Sequence, residues 1–232
     1  IMVNSMVRLG VTSGANSLLL GMVLLAAVAI DVRWLKNRHK LLSNVYVSPT
    51  YAPLPQAAGT EAGSPYALND KLRTVELIGL GAIDGPEDVI LDEDDHIYAG
   101  NRTGDIVRFL APDYSRQEIY AHIGGRPLGM AFAPDGSLLV CVGGMGLYRV
   151  TRERDVEKLT DETNRSLFTV IDDSRLRLAD DLDVAPDGRI YFSEATVRYD
   201  MHEWPVDSIE ARGNGRIICY DPKTGSTQTI LK

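Results

Sequence analysis

Three stretches of this chain superpose without a gap: Glu87–Tyr98, Leu128–Leu139 and Asp180–Tyr191. In each, a strand-like run enters a tight turn, at Asp94-Asp95, Asp135-Gly136 or Asp187-Gly188. An Asp-Gly pair accepts the positive φ of a hairpin turn, which accounts for its placement. A second element recurs downstream as Gly104–Phe109, Gly146–Val150 and Gly215–Tyr220. Such a recurrence confines the fold strongly, because each unit is too small to bury its apolar face alone and must stack on its neighbours. The turn-to-turn steps are 41 and 52 residues, close to the spacing of propeller repeats, and each unit reads as a hairpin plus further strands, one four-stranded blade. After residue 75 no long helical period competes with this pattern.

The fold class expected is therefore all-β, a six-bladed β-propeller with about three blades in this chain. The blades fall at about 85–124, 125–177 and 178–232. A closed propeller needs at least four blades and commonly has six. A chain that begins with Ile1 and stops at Lys232, directly after a strand, is then expected to be a C-terminally truncated fragment; closure with a second copy is the alternative. The third unit carries an insertion, roughly Thr196–Arg212, that includes His202, Glu203 and Trp204. Insertions of this kind map to loops on one face of the disc.

Residues 1–40 stand apart from the repeats. Between Arg8 and Asp31 lie 22 uncharged positions, which would span roughly 33 Å as a helix, enough for a hydrocarbon core. This N-terminal hydrophobic helix, about 13–30, reads as a membrane anchor. Alternatively it is a signal peptide with Leu18–Ala26 as its apolar region and Ala27-Val28-Ala29 as its cleavage site. Arg33, Lys36, Arg38 and Lys40 follow the segment, and flanking charge alone favours a cytoplasmic C-terminal side. Residues 41–74 shift to Pro, Gly, Ala, Ser and Tyr, and read as an extended linker or a docked arm.

A net charge of −8 and a pI near 5.0 exclude nucleic acid as the main partner, because phosphate binding needs a clustered basic face. With only Cys141 and Cys219 there is no disulfide framework and no cysteine-rich zinc site; both fall in expected strands and pack there. The chain has no H-E-x-x-H, no G-x-S-x-G, no P-loop and no dinucleotide fingerprint. Gly124–Gly129 is glycine-rich but precedes a strand, which argues against a phosphate cradle. The acidic run Asp92–Asp95 fails as an EF-hand loop, with Ile97 where the glycine belongs and Thr103 where the glutamate belongs, and reads as a solvated turn.

The superposition also puts Glu87, Leu128 and Asp180 at one structural level. The first strand of each propeller blade lines the central channel, so two carboxylates at that level converge on the axis. Oxygen ligands so placed suit a hard cation, most naturally Ca2+. Strand capping is the competing role for both.

Gly85-Pro86-Glu87-Asp88-Val89, Gly125–Phe132, and Leu178–Val184 with Tyr191-Phe192-Ser193 resemble the strictosidine synthase-like proteins, within the propeller superfamily of gluconolactonases and paraoxonases. Tyr66–Asp70 is also similar to membrane-anchored members. The resemblance implies calcium in the central channel, held in part by Glu87 and, where the family has asparagine, by Asp180. It implies a membrane-associated, calcium-dependent hydrolase of lactonase or arylesterase type acting on a small-molecule ester or lactone. The alternatives are a strictosidine-synthase-type enzyme condensing an amine with an aldehyde, and a noncatalytic propeller that binds a ligand or partner. The propeller is expected on the noncytoplasmic side, periplasmic or lumenal, or as an exported soluble form if the N-terminal segment is cleaved. The family's later catalytic and ligand motifs would lie beyond Lys232, so no catalytic residue is assigned.

Overall fold

A computed structural model describes residues 12–34, 53, 56–164 and 174–231. The chain divides into two units, 1–45 and 46–232. In the first, helix α1 covers Ser13–Trp34. Among the described residues no helix is long and apolar enough to cross a membrane, so a spanning segment at about 13–30 is not supported. Most of the expected linker before residue 56 lies outside the described residues; its last part contains a short 3-10 helix, Lys71–Thr74.

The second unit is built of three antiparallel four-stranded meanders. The first holds β1 (Val89–Leu91), β2 (Ile97–Gly100), β3 (Asp105–Phe109) and β4 (Gln117–His122). The second holds β5 (Arg126–Phe132), β6 (Leu138–Gly143), β7 (Gly146–Val150) and β8 (Val156–Thr160). The third holds β9 (Ala179–Val184), β10 (Ile190–Glu194), β11 (Arg216–Asp221) and β12 (Ser226–Leu231). Each sheet runs in chain order from its first strand to its fourth, the blade topology that the repeats require.

The turns form where the sequence allows the unusual backbone. Asp95, Gly136 and Gly188 have φ of +61°, +80° and +88°. The acidic run is a turn, closed by its own first member. Asp92 Oδ1 accepts the Asp94 and His96 N–H groups at 3.0 and 2.9 Å, and the Tyr98 hydroxyl donates to Asp92 Oδ2 at 3.0 Å.

Strand alternation then separates two cores. β6, the second strand of the middle sheet, is buried along all six residues. Leu138, Val140 and Val142 join Tyr98, Ile106, Tyr120 and Met130 against the first sheet. Leu139 and Cys141 face the other way, into a core with Leu147, Leu182, Ile190, Phe192 and Ile218. A period of two puts alternate side chains on opposite faces, and each such burial stabilises by about 1.5–3 kcal/mol. Cys141 and Cys219 are free thiols in strands, as their sequence context suggests.

The insertion in the third unit is more than loop. Trp204–Glu210 form helix α2, with Pro205 in its first turn. Asp207 Oδ1 accepts from Thr196 Oγ1 at 3.0 Å and from Asn214 Nδ2 at 2.8 Å, and Arg198 pairs with Glu210 at 3.0 Å. These contacts close the insertion on itself. Because β10 runs antiparallel to β9 and pairs Glu194 with Ala179, the insertion leaves its sheet at the end where β9 begins.

Candidate functional site

In the third sheet Leu182 pairs with Phe192 and Ala179 with Glu194, so Asp180 and Asp181 together oppose Ser193. The second sheet has the same irregularity at the same place. Met130 pairs with Val140 and Pro127 with Val142, leaving Leu128 and Gly129 opposite Cys141. In the first sheet Val89 pairs with Ala99, which puts Glu87 and Asp88 at the matching positions just ahead of β1. The ladder thus makes Glu87, Leu128 and Asp180 structural equivalents, and Asp88, Gly129 and Asp181 likewise. A bulge of two residues against one re-aims a side chain out of the regular pleat.

The backbone donors around this level are met by aspartates. Asp88 spans two sheets, with Oδ1 accepting the Val89 N–H at 2.7 Å and Oδ2 accepting the Met130 N–H of the next sheet at 2.8 Å. Asp181 Oδ1 accepts the Leu182 N–H at 2.9 Å. Between them Gly129 permits a close approach that no other residue could. A Cβ there would lie 2.5 Å from Asp181 Cα and 2.6 Å from the Asp180 carbonyl oxygen.

Both expected ligands are raised carboxyls, as is the buried Glu194. Burial pushes the Glu87 carboxyl above its ordinary value and the Asp180 charge pushes it further; Arg126 pulls it back, and Asp88 and Asp181 add to the rise. Burial also raises Asp180, with Asp181 acting in the same direction. Glu87 lies within the field of Asp180, and both carboxyls resist ionisation, a condition that a cation would relieve. Their oxygens could serve a hard cation, as two of the six to eight ligands that Ca2+ takes. Among the described residues no group of three or more His, Cys, Asp or Glu is placed to hold a metal ion. Cys141 lies in the same field, but its complete burial holds the thiol well above its ordinary value, which leaves it an inert packing group.

The third equivalent position, Leu128, is 2% exposed. An atom added at Gly143 would meet Met201 Sδ at 2.7 Å and the Cδ1 atoms of Leu128 and Leu178 at 3.3 Å. Met201 belongs to the insertion, and the preceding Asp200 takes both its oxygens to Arg177 Nη1 at 2.9 and 3.0 Å. The insertion therefore brings Met201 to Gly143, next to Leu128 and Leu178. A separate cavity of about 230 Å³, lined by Pro134, Leu139, Leu159, Val184 and Ile190, opens at the turn end of the same sheets, away from the carboxylates.

Sequence reasoning missed Ser193, Glu194 and Arg216. Glu194 is 1% exposed and Arg216 4%, and they pair directly across β10 and β11. The signal was present: strict alternation on β10 and β11 assigns both positions to the buried face, where opposite charges on neighbouring strands read as partners.

Residues 64–109 match the N-terminal family profile of strictosidine synthase-like proteins, and residues 180–232 match the strictosidine synthase profile. Protein strictosidine synthase-like 4 of Arabidopsis thaliana is 32% identical over 190 residues, 79% of this chain and 49% of that protein. An adipocyte plasma membrane-associated protein of Salmo salar is 28% identical over 184 residues, 72% of this chain and 42% of its own length. The chain spans about half the length of the curated relatives it matches. Among solved structures, a gluconolactonase of Xanthomonas campestris aligns with a TM-score of 0.47 at 14% identity, covering 64% of this chain and 47% of that one.

Proposed function

The chain belongs to the strictosidine synthase-like proteins, and from that premise we propose that it is part of a calcium-dependent, membrane-associated hydrolase of lactonase or arylesterase type. The observation that carries the reading is the Glu87–Asp180 pair, two carboxylates at equivalent positions of different sheets, both raised by burial, with the Asp180 charge raising Glu87 further. Glu87 and Asp180 would hold the ion, and the chemistry it supplies is polarisation of a substrate carbonyl. Arg126 offsets part of the negative field at Glu87.

Membrane association is supported by the relatives named adipocyte plasma membrane-associated protein. In this reading the N-terminal segment tethers a six-bladed propeller on the noncytoplasmic side. A reporter fused at the C-terminus tests the sidedness; signal confined to the cytoplasm would reverse it.

The activity is tested with a panel of aryl esters and lactones, with and without chelator. Turnover abolished by chelator, restored by calcium and lost in Glu87→Gln and Asp180→Asn is expected. A protein that binds calcium yet turns over no member of the panel would remove the hydrolase assignment.

A further inference from the structure

The bulge that carries Asp180 takes its shape from side chains. We infer that Ser193 and the buried Glu194–Arg216 pair form a positioning cradle for Asp180, fixing where its carboxylate is presented; this rests on the reading of Asp180 as a cation ligand.

Side chains accept from four of the N–H groups that flank Asp180. The Arg177 N–H donates to Glu194 Oε1 at 2.5 Å, and the Leu178 N–H bonds the same carboxylate. In return the Ala195 N–H donates to the Leu178 carbonyl oxygen at 2.9 Å. On the other side of Asp180, the Asp181 N–H donates to Ser193 Oγ at 3.1 Å and the Leu182 N–H to Asp181 Oδ1 at 2.9 Å. Arg216 holds the glutamate through Nε–H donation to Oε2 and is itself tied to β12 by Nη1–H donation to Thr229 Oγ1 at 3.2 Å. The backbone on both sides of Asp180 therefore answers to Ser193, Glu194 and Asp181 rather than to a regular ladder.

The other two sheets provide an internal comparison. By register, the positions of Glu194 and Arg216 correspond to Val142 and Gly146 in the second sheet, and to Asn101 and Asp105 in the first. Neither sheet buries an ion pair there, so a blade of this chain forms without one. The position of Ser193 corresponds to Cys141 in the second sheet, where the bulge presents Leu128 rather than a carboxylate. A buried ion pair contributes little net stability compared with apolar residues of the same volume, because desolvation offsets the Coulombic gain. What Glu194 adds is an acceptor for two backbone donors just ahead of Asp180.

Three variants of the full chain test this: Ser193→Ala, Ser193→Thr and Glu194→Gln. Calcium affinity is measured by calorimetry, melting temperature by thermal unfolding, and the Arg177, Asp181 and Leu182 amides by hydrogen exchange. Ser193 is half-buried, and Ser193→Ala is expected to melt close to wild type while binding calcium about tenfold more weakly and exchanging faster at Asp181. Ser193→Thr, which keeps the hydroxyl, restores both, and Glu194→Gln weakens binding and speeds exchange at Arg177. Wild-type affinity in Ser193→Ala overturns the inference. If the wild type takes no calcium, the ligand reading of Asp180 falls; unchanged exchange across 177–182 in Ser193→Ala would then separately dispose of the cradle. Should Glu194→Gln fail to fold, the serine pair still decides.

Discussion

At Glu87 and Asp180 the folded chain raises both carboxyl pKa values, through burial first and neighbouring acids second. The folded state thus keeps protons that the unfolded chain releases sooner. Each ionisation then costs stability as the pH climbs from the ordinary carboxylate value through the raised one. In calcium-free buffer, the double variant Glu87→Gln/Asp180→Asn is expected to gain stability relative to wild type on going from acid to neutrality, read by urea unfolding. A difference that shrinks over that range contradicts the assignment. Asp88 plays another part, accepting N–H groups in two sheets. Asp88→Ala is expected to cost about 2–3 kcal/mol, measured by denaturant unfolding. The two candidate ligands were legible in sequence because equivalent positions of a repeat share a level. The bonds from Asp181 to Ser193 and from Arg177 to Glu194 were not, since they are fixed by a bulge that spacing alone does not announce.

Among elements, the strands and turns follow closely from local chemistry. Gly136 and Gly188 occupy the positive-φ corners that the Asp-Gly pairs mark, and Asp95 takes the same conformation where the first unit lacks the glycine. Helix α2 was hidden inside the insertion because seven residues carry too little periodicity to be read, and Asp207 holds it through Thr196 and Asn214, eleven and seven residues away. Asp207→Ala is expected to speed amide exchange across 196–212 while leaving the three sheets protected. Uniform loosening of the whole second unit would show that the insertion is no separate element. Gly129→Ala makes a sharper case: a methyl 2.5 Å from Asp181 Cα forces β5 and the β9 bulge apart, and weakened calcium binding with the first sheet unaffected is the expected signature.

For the second unit as a whole, three consecutive meanders share two cores through the buried strand β6 of the middle sheet, and the three-blade repeat is what the repeat arithmetic conveys. The proposed calcium site and hydrolysis rest on a smaller foundation, two acids at equivalent positions of the first and third sheets, one lying in the field of the other. A double-mutant cycle in calcium calorimetry addresses it directly, using wild type, Glu87→Gln, Asp180→Asn and the double variant. Joint ligation requires that wild type bind calcium, that each single variant lose most of the affinity, and that the double variant lose far less than the sum of the two. Strictly additive losses, or single variants that bind as wild type does, would mean that the two carboxylates hold no common ion.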